Sequence, residues 1–248
     1  SIGAAASLAC IRMNNAHVEE LADLVQIGTK VELIYRTVVI QEDPLLHTRT
    51  ITVYPDVYRQ GVSPVQLESE LARLGWGEIF WPALKHILKT PSGEPHPLAW
   101  AHSLRFNGQD TGLVAAELGG QYYIPLDIAF DPRHEFATQT VKWGDEYFVP
   151  LSAYQKLTGL GYSNAQGELL LHSPTVMLGE ESLGTALLFQ NELYLNITSQ
   201  GGKLFPSTME VVWLWGELYQ PAWAVVDDGS LAELTLTWPN GVVEPSFP

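Results

Sequence analysis

The sequence predicts an α+β fold of short antiparallel strands with a few helices and a β-rich C-terminal part. Three observations carry this expectation. Glycine and proline supply 21 and 16 of the 248 residues, a density of turn formers that favours many short elements over long helices. Helical periodicity occurs in only a few stretches, around residues 15–25, 63–74, 78–88 and 152–157. Between and after them, runs of β-branched and aromatic residues alternate with turns as far as Trp238.

In chain order, Val18, Leu21, Leu24 and Val25 form a helical stripe closed by Gly28. Val31 to Ile40 reads as a strand broken at Glu42-Asp43-Pro44, and Thr48 to Tyr54 as its partner. Ser63, Pro64 and Gln66 spell a helix start with a capping box, and Leu67, Leu71 and Leu74 then share a face until Gly75. A further short helix with Trp81, Leu84 and Leu88 together is expected over 78–88. Pro91 to Pro97 is a proline-rich connector. It divides the chain into an α+β region 1–97, a second α+β region 98–175, and a β-rich region 176–248.

Beyond the connector, Phe106 runs into an Asn107-Gly108 hairpin corner. Tyr122-Tyr123-Ile124-Pro125-Leu126 is echoed by Tyr147-Phe148-Val149-Pro150-Leu151. Each reads as a strand closed by a proline that cannot donate to a ladder. A helix over 152–157 ends at Gly159, and a hairpin turning at residues 164–167 follows. Strand-like runs at 186–189, 193–197, 211–215, 222–226 and 234–238 complete the chain.

Composition excludes several functions. The chain carries 13 basic and 28 acidic residues, a formal charge of −15. From Leu157 onward, Lys203 alone opposes ten carboxylates. Such a surface repels nucleic acid and anionic headgroups. No run approaches 18 apolar residues, so no membrane-spanning helix is expected. The single cysteine, Cys10, rules out an internal disulfide and a cysteine-based zinc cluster. It closes the small, apolar run Ser1 to Ala9, which fits either the tail of a lipoprotein signal, hence a lipid anchor, or a buried thiol.

The stretch from Leu104 to Leu171 resembles the small domain named for the N-terminal region of copper amine oxidases. Phe106-Asn107-Gly108 matches its first strand and turn. Glu146-Tyr147-Phe148-Val149-Pro150-Leu151 matches the segment leading into its helix, and Leu157-Thr158-Gly159-Leu160-Gly161-Tyr162 matches the helix end. Where the family carries arginine after Pro-Leu, this chain has Ser152 and, in the first copy, Asp127. The resemblance implies an exported accessory module of a bacterial envelope, carrying neither the redox cofactor nor the catalytic copper of the oxidases.

A search for bond chemistry finds no assembled set of residues. No histidine pair has the four-residue spacing of a zinc helix, although His96 and His102 flank Trp100. There is no Gly-x-Ser-x-Gly elbow and no complete phosphate-binding glycine loop. Asp127, Asp131 and Glu135 are candidates for a paired-carboxylate site. Trp213, Trp215 and Trp223, with Tyr122 and Tyr123, are candidate contacts for a ligand or partner. Tryptophans alternating with Leu and Val, however, usually belong to a core, and that reading is the stronger one for them.

The expectation is therefore a non-catalytic structural or interaction module, extracytoplasmic, with no cofactor or metal, whose partner is another envelope protein or a cell-wall glycan. The alternative is a carbohydrate-binding protein or glycan hydrolase using exposed tryptophans and paired carboxylates. A small ligand held in the β-rich end is a third option.

Overall fold

The computed structural model of the chain describes residues 12–32, 34–43, 48–76, 78–126, 139–189, 192–198, 212–222 and 228–245. The fold is α+β, with antiparallel strands in sheets and a few helices. Two compact units are formed, residues 1–77 with 87–96, and residues 78–86 with 97–248.

The first unit holds helix α1 (Asn15–Leu24), strands β1 (Val38–Asp43) and β2 (Thr48–Val53), and helix α2 (Pro64–Arg73). Strand β3 (Pro95–Pro97), at the end of the proline-rich connector, completes a three-stranded sheet of order β1-β2-β3. Pairing of β1 with β2 runs from Val38 opposite Val53 to Asp43 opposite Thr48. The expected strand from Val31 therefore starts only at Val38. The Tyr54 N–H still reaches the Thr37 carbonyl at 2.7 Å, but among the described residues no strand pairing extends before Val38, and β propensity alone does not make a strand.

Helix α2 begins as its sequence demands. The Ser63 hydroxyl accepts from the Gln66 N–H at 3.3 Å, and the Gln66 side chain accepts from the Ser63 N–H at 2.9 Å. Leu67 and Leu71 on its inner face are buried, as are Ile51 and Val53 of β2 and Trp76. The Arg49 guanidinium lies 4.6 Å above the Trp76 ring, a cation–π contact that keeps the charge beside the core without burying it.

The second unit begins with the first turns of helix α3 (Trp81–Lys89). Its first sheet contains β4 (Trp100–Phe106), β5 (Gln109–Leu118), β6 (Gln121–Pro125), β7 (Val141–Trp143), β8 (Glu146–Pro150), β9 (Gly161–Ala165) and β10 (Glu168–His172). Their order is β7-β8-β6-β5-β4-β10-β9. The β4–β10 pair is parallel, and the other ladders are antiparallel. Helix α4 (Leu151–Thr158) follows β8 and stops at Gly159, whose φ of 70° is the left-handed value glycine adopts freely.

A second sheet, of order β14-β15-β13-β12-β11-β16, contains β11 (Thr175–Leu178), β12 (Glu181–Phe189), β13 (Glu192–Asn196), β14 (Val212–Leu214), β15 (Glu217–Pro221) and β16 (Leu234–Thr237). One core serves both sheets. Leu104, Phe106, Ala115, Ile124 and Val149 of the first sheet meet Leu187, Tyr194, Leu214 and Tyr219 of the second, with Leu151 and Tyr154 of α4 among them. Period-two alternation sends Ala116 and Phe148 to the opposite face of the first sheet, where Phe80 and Ala83 cover them. It likewise sends Ala186 and Leu195 to the far face of the second.

Candidate functional site

The same alternation separates the two tyrosines singled out from the sequence. Tyr122 packs with the shared core, whereas Tyr123 packs with Trp143 on the other face, their ring centroids 5.3 Å apart. The two therefore line different surfaces.

Tyr122 belongs to a polar and aromatic group. The His102 Nε2 lies 2.8 Å from a Glu117 carboxylate oxygen, and the Tyr122 ring meets the imidazole edge-on at 5.4 Å between centroids. Tyr122 also packs against Tyr162 at 5.7 Å, and its hydroxyl accepts from the Asn164 amide. Burial first, and then the nearby Glu117 charge, raise the Tyr122 pKa above the ordinary tyrosine value. His102 is 8% exposed, and its Nδ1 is buried without a hydrogen-bond partner. Among the described residues, no serine, cysteine or second carboxylate hydrogen-bonds to the His102–Glu117 pair. The pair can orient an imidazole, and among the described residues no nucleophile hydrogen-bonds to it.

Another histidine, His172, sits 2.9 Å from the Ser163 hydroxyl across the β9–β10 ladder. Burial lowers its pKa, favouring the neutral ring. Among the described residues no carboxylate hydrogen-bonds to that ring, so the third member of a relay is missing.

A third polar group stitches the two sheets together. The Asn107 amide, in the β4–β5 turn, donates to Ser173 Oγ at 3.1 Å and to Glu217 Oε2 at 2.8 Å. Asn196 of β13 donates to the same Glu217 oxygen at 2.9 Å, and the Tyr219 hydroxyl donates to it as well. The Ser173 N–H returns a bond to Asn107 Oδ1 at 2.9 Å. Burial, followed by the Glu217 hydrogen bond, pushes the Tyr219 pKa far up. Ser173 and Tyr219 are 3% and 0% exposed, whereas Asn107, Asn196 and Glu217 are partly exposed; the group ties the two sheets together.

Trp215 is half-buried in the β14–β15 turn, 5.1 Å from Phe106 and 6.1 Å from Tyr154 between ring centroids. Its φ of 43° places it in the left-handed region at the corner. The backbone of Trp213 lies in β14, but its side chain is outside the described residues, as are Trp223, Cys10 and the carboxylates Asp127, Asp131 and Glu135. Among the described residues, no cluster of three or more His, Cys, Asp or Glu could hold a metal, and no helix is long and apolar enough to cross a membrane.

Most of the exposed apolar side chains belong to the first unit. Of 18 large exposed hydrophobic residues among those described, 15 lie between Met13 and Leu74. Helix α1 has no buried residue: Val18, Leu21, Leu24 and Val25 are all open, Leu24 at 75% exposure. By the 3.6-residue period, Glu19 and Asp23 fall on its other side, and Glu20 flanks the stripe beside Leu24. The exposure continues through Ile27, Val31 and Ile34. No sequence signal for burial distinguishes this stripe from that of α2, where Leu67 and Leu71 are buried. The difference lies in what the fold packs against each.

Beyond this lies an ordered loop. The Asp56 carboxylate accepts from the Tyr35 hydroxyl at 2.6 Å, from Gln60 N at 3.1 Å and from Gly61 N at 2.9 Å. The Tyr35 bond, helped by these amides, lowers the Asp56 pKa. Periodicity does not mark this loop, because its partners come from residues 35 and 56–61. Comparison with protein-family models, curated proteins and solved structures gives no match to the chain.

Proposed function

We propose that this protein is a non-catalytic interaction module of an exported, envelope-associated bacterial protein, and that it docks another protein through α1. The observation carrying this reading is an amphipathic helix with no buried residue. Amphipathic helices gain most of their stability by covering their apolar face, and such a face is the anchor that helix-in-groove recognition uses. The aliphatic stripe suits an apolar protein groove better than a sugar, which needs an aromatic platform. Glu20, at the edge of the stripe beside Leu24, suits a groove with a basic rim.

The envelope assignment is supported by the resemblance of residues 104–171 to an exported accessory domain.

A photo-crosslinking residue placed at Leu21 of the full chain, in its native host, tests both parts. It captures one discrete envelope protein, while the same residue at Glu19, on the opposite face, does not. Equal capture at both positions, or a cytosolic product alone, removes the reading.

A further inference from the structure

The first unit contains a cleft of about 260 Å³ that the docking reading does not use. Its lining is mostly apolar and includes Val38, Val53, Leu67 and Tyr54. That volume is at the small end of ligand cavities and suits a molecule of one ring or a short aliphatic body.

Two oxygens give the cleft a polar end. Thr37 lines it, and its hydroxyl makes no hydrogen bond among the described residues. That hydroxyl opens to the cleft and can donate or accept there. Asp56 also lines the cleft. Its Oδ1 is taken by Tyr35 and Gln60, and its Oδ2 accepts from Gly61 N at 2.9 Å. One carboxylate oxygen thus keeps a lone pair for a further donor.

Gly61 keeps this end open. A Cβ there would lie 2.7 Å from Thr37 Oγ1 and 2.8 Å from Asp56 Oδ2. The two oxygens are therefore no more than 5.5 Å apart, those distances added. One nitrogen can hydrogen-bond to both across that separation. The charge decides what kind of nitrogen. Asp56 is the one carboxylate in the lining, so a cationic donor gains a charge-assisted bond and an anion is repelled.

The geometry points to a binding site for a small molecule with an apolar body and a protonated amine head, the head seated between the Thr37 hydroxyl and the Asp56 carboxylate. Nothing in this assignment depends on α1 or on the protein partner.

The test is a two-dimensional amide NMR titration of the intact chain with benzylamine, benzyl alcohol and phenylacetate. Benzylamine is expected to bind saturably at millimolar concentration, shifting the amides of Thr37, Tyr54, Gly61 and Leu67. Benzyl alcohol binds about tenfold more weakly, and phenylacetate does not bind below about 20 mM. Thr37→Val, which keeps the shape and removes the hydroxyl, weakens benzylamine about five- to tenfold without moving the rest of the spectrum. Gly61→Ala, which fills the polar end, abolishes binding. The site is refuted by no saturable shift with benzylamine, by shifts confined to other residues, by phenylacetate binding as well as the amine, or by unchanged affinity in Thr37→Val.

Discussion

At Glu217, a single carboxylate oxygen receives donors from Asn107, Asn196 and Tyr219, residues brought in from three different strands or turns. A carboxylate satisfied in this way is stabilising, but it depends on every donor remaining in place. Tyr219 is the member whose titration can be followed. Unfolded tyrosine ionises near pH 10, whereas burial and the Glu217 bond keep folded Tyr219 protonated well beyond that. Its raised pKa means that its contribution is fully present below about pH 10 and is lost as pH rises, by about 1.4 kcal/mol per unit. Buried Tyr154 shifts in the same direction, for the same reason of burial. Urea unfolding between pH 7 and 11 should therefore show stability falling on the alkaline side. Tyr219→Phe should lower stability at pH 7 by about 1–3 kcal/mol and make the alkaline fall shallower. An unchanged alkaline slope in that variant would contradict the assignment.

At the scale of elements, α1 and α2 are both ten residues long and amphipathic, but they differ in what covers them. Leu67→Ala in α2 removes a side chain 1% exposed and should cost about 2–5 kcal/mol. Leu21→Glu in α1 should change stability by less than about 0.5 kcal/mol, as thermal unfolding of the two variants would show. The corner after α4 behaves differently again. Trp238 Nε1 donates to the Gly159 carbonyl at 3.1 Å, and Tyr162 and Val243 exchange backbone bonds of 3.1 and 2.7 Å. A Cβ on Gly161 would stand 2.3 Å from Val242 and 2.8 Å from Trp238. Gly161→Ala should therefore cost about 1–3 kcal/mol and speed hydrogen exchange at the Tyr162 and Val243 amides.

These elements also mark what sequence reasoning could reach. The Ser63–Gln66 box, the Asn107-Gly108 turn and the helix stop at Gly159 are local chemistry, and each forms where the residues place it. A strand needs a neighbour, so the length of β1 was not legible from Val31 onward. The Asn107 cluster links residues 66, 110 and 112 positions apart, and no periodicity reports on such separations. For the candidate sites, Tyr122 was visible as an aromatic. Its partners Glu117 and His102, and the meeting of Thr37 with Asp56 in the cleft, required the folded chain.

For the molecule as a whole, the second unit is discontinuous in sequence, because residues 78–86 belong to it and 87–96 do not. Phe80 packs edge-on against Trp143 and Phe148, at 5.4 and 5.1 Å between centroids. A fragment beginning at Pro97 leaves those two rings uncovered on one face. It should melt at lower temperature than a fragment beginning at Glu78, with weaker near-ultraviolet dichroism from Trp143. Equal melting of the two would show that Phe80 and Ala83 contribute little. In the full chain, Phe80→Ala should cost about 3–5 kcal/mol.

The parallel junction of β4 with β10, in which Leu104 lies opposite Leu169, has a kinetic consequence. The hairpins on either side of it close over a few residues and can form in microseconds. The junction must instead bring together segments separated by the whole of β5 to β9, and the loop entropy of that closure is lost before any contact repays it. Nascent chains should therefore pass through a stage in which the hairpins exist but β10 has not joined β4. During that interval the edge of β4 is open to another chain, and refolding yield should fall as protein concentration rises.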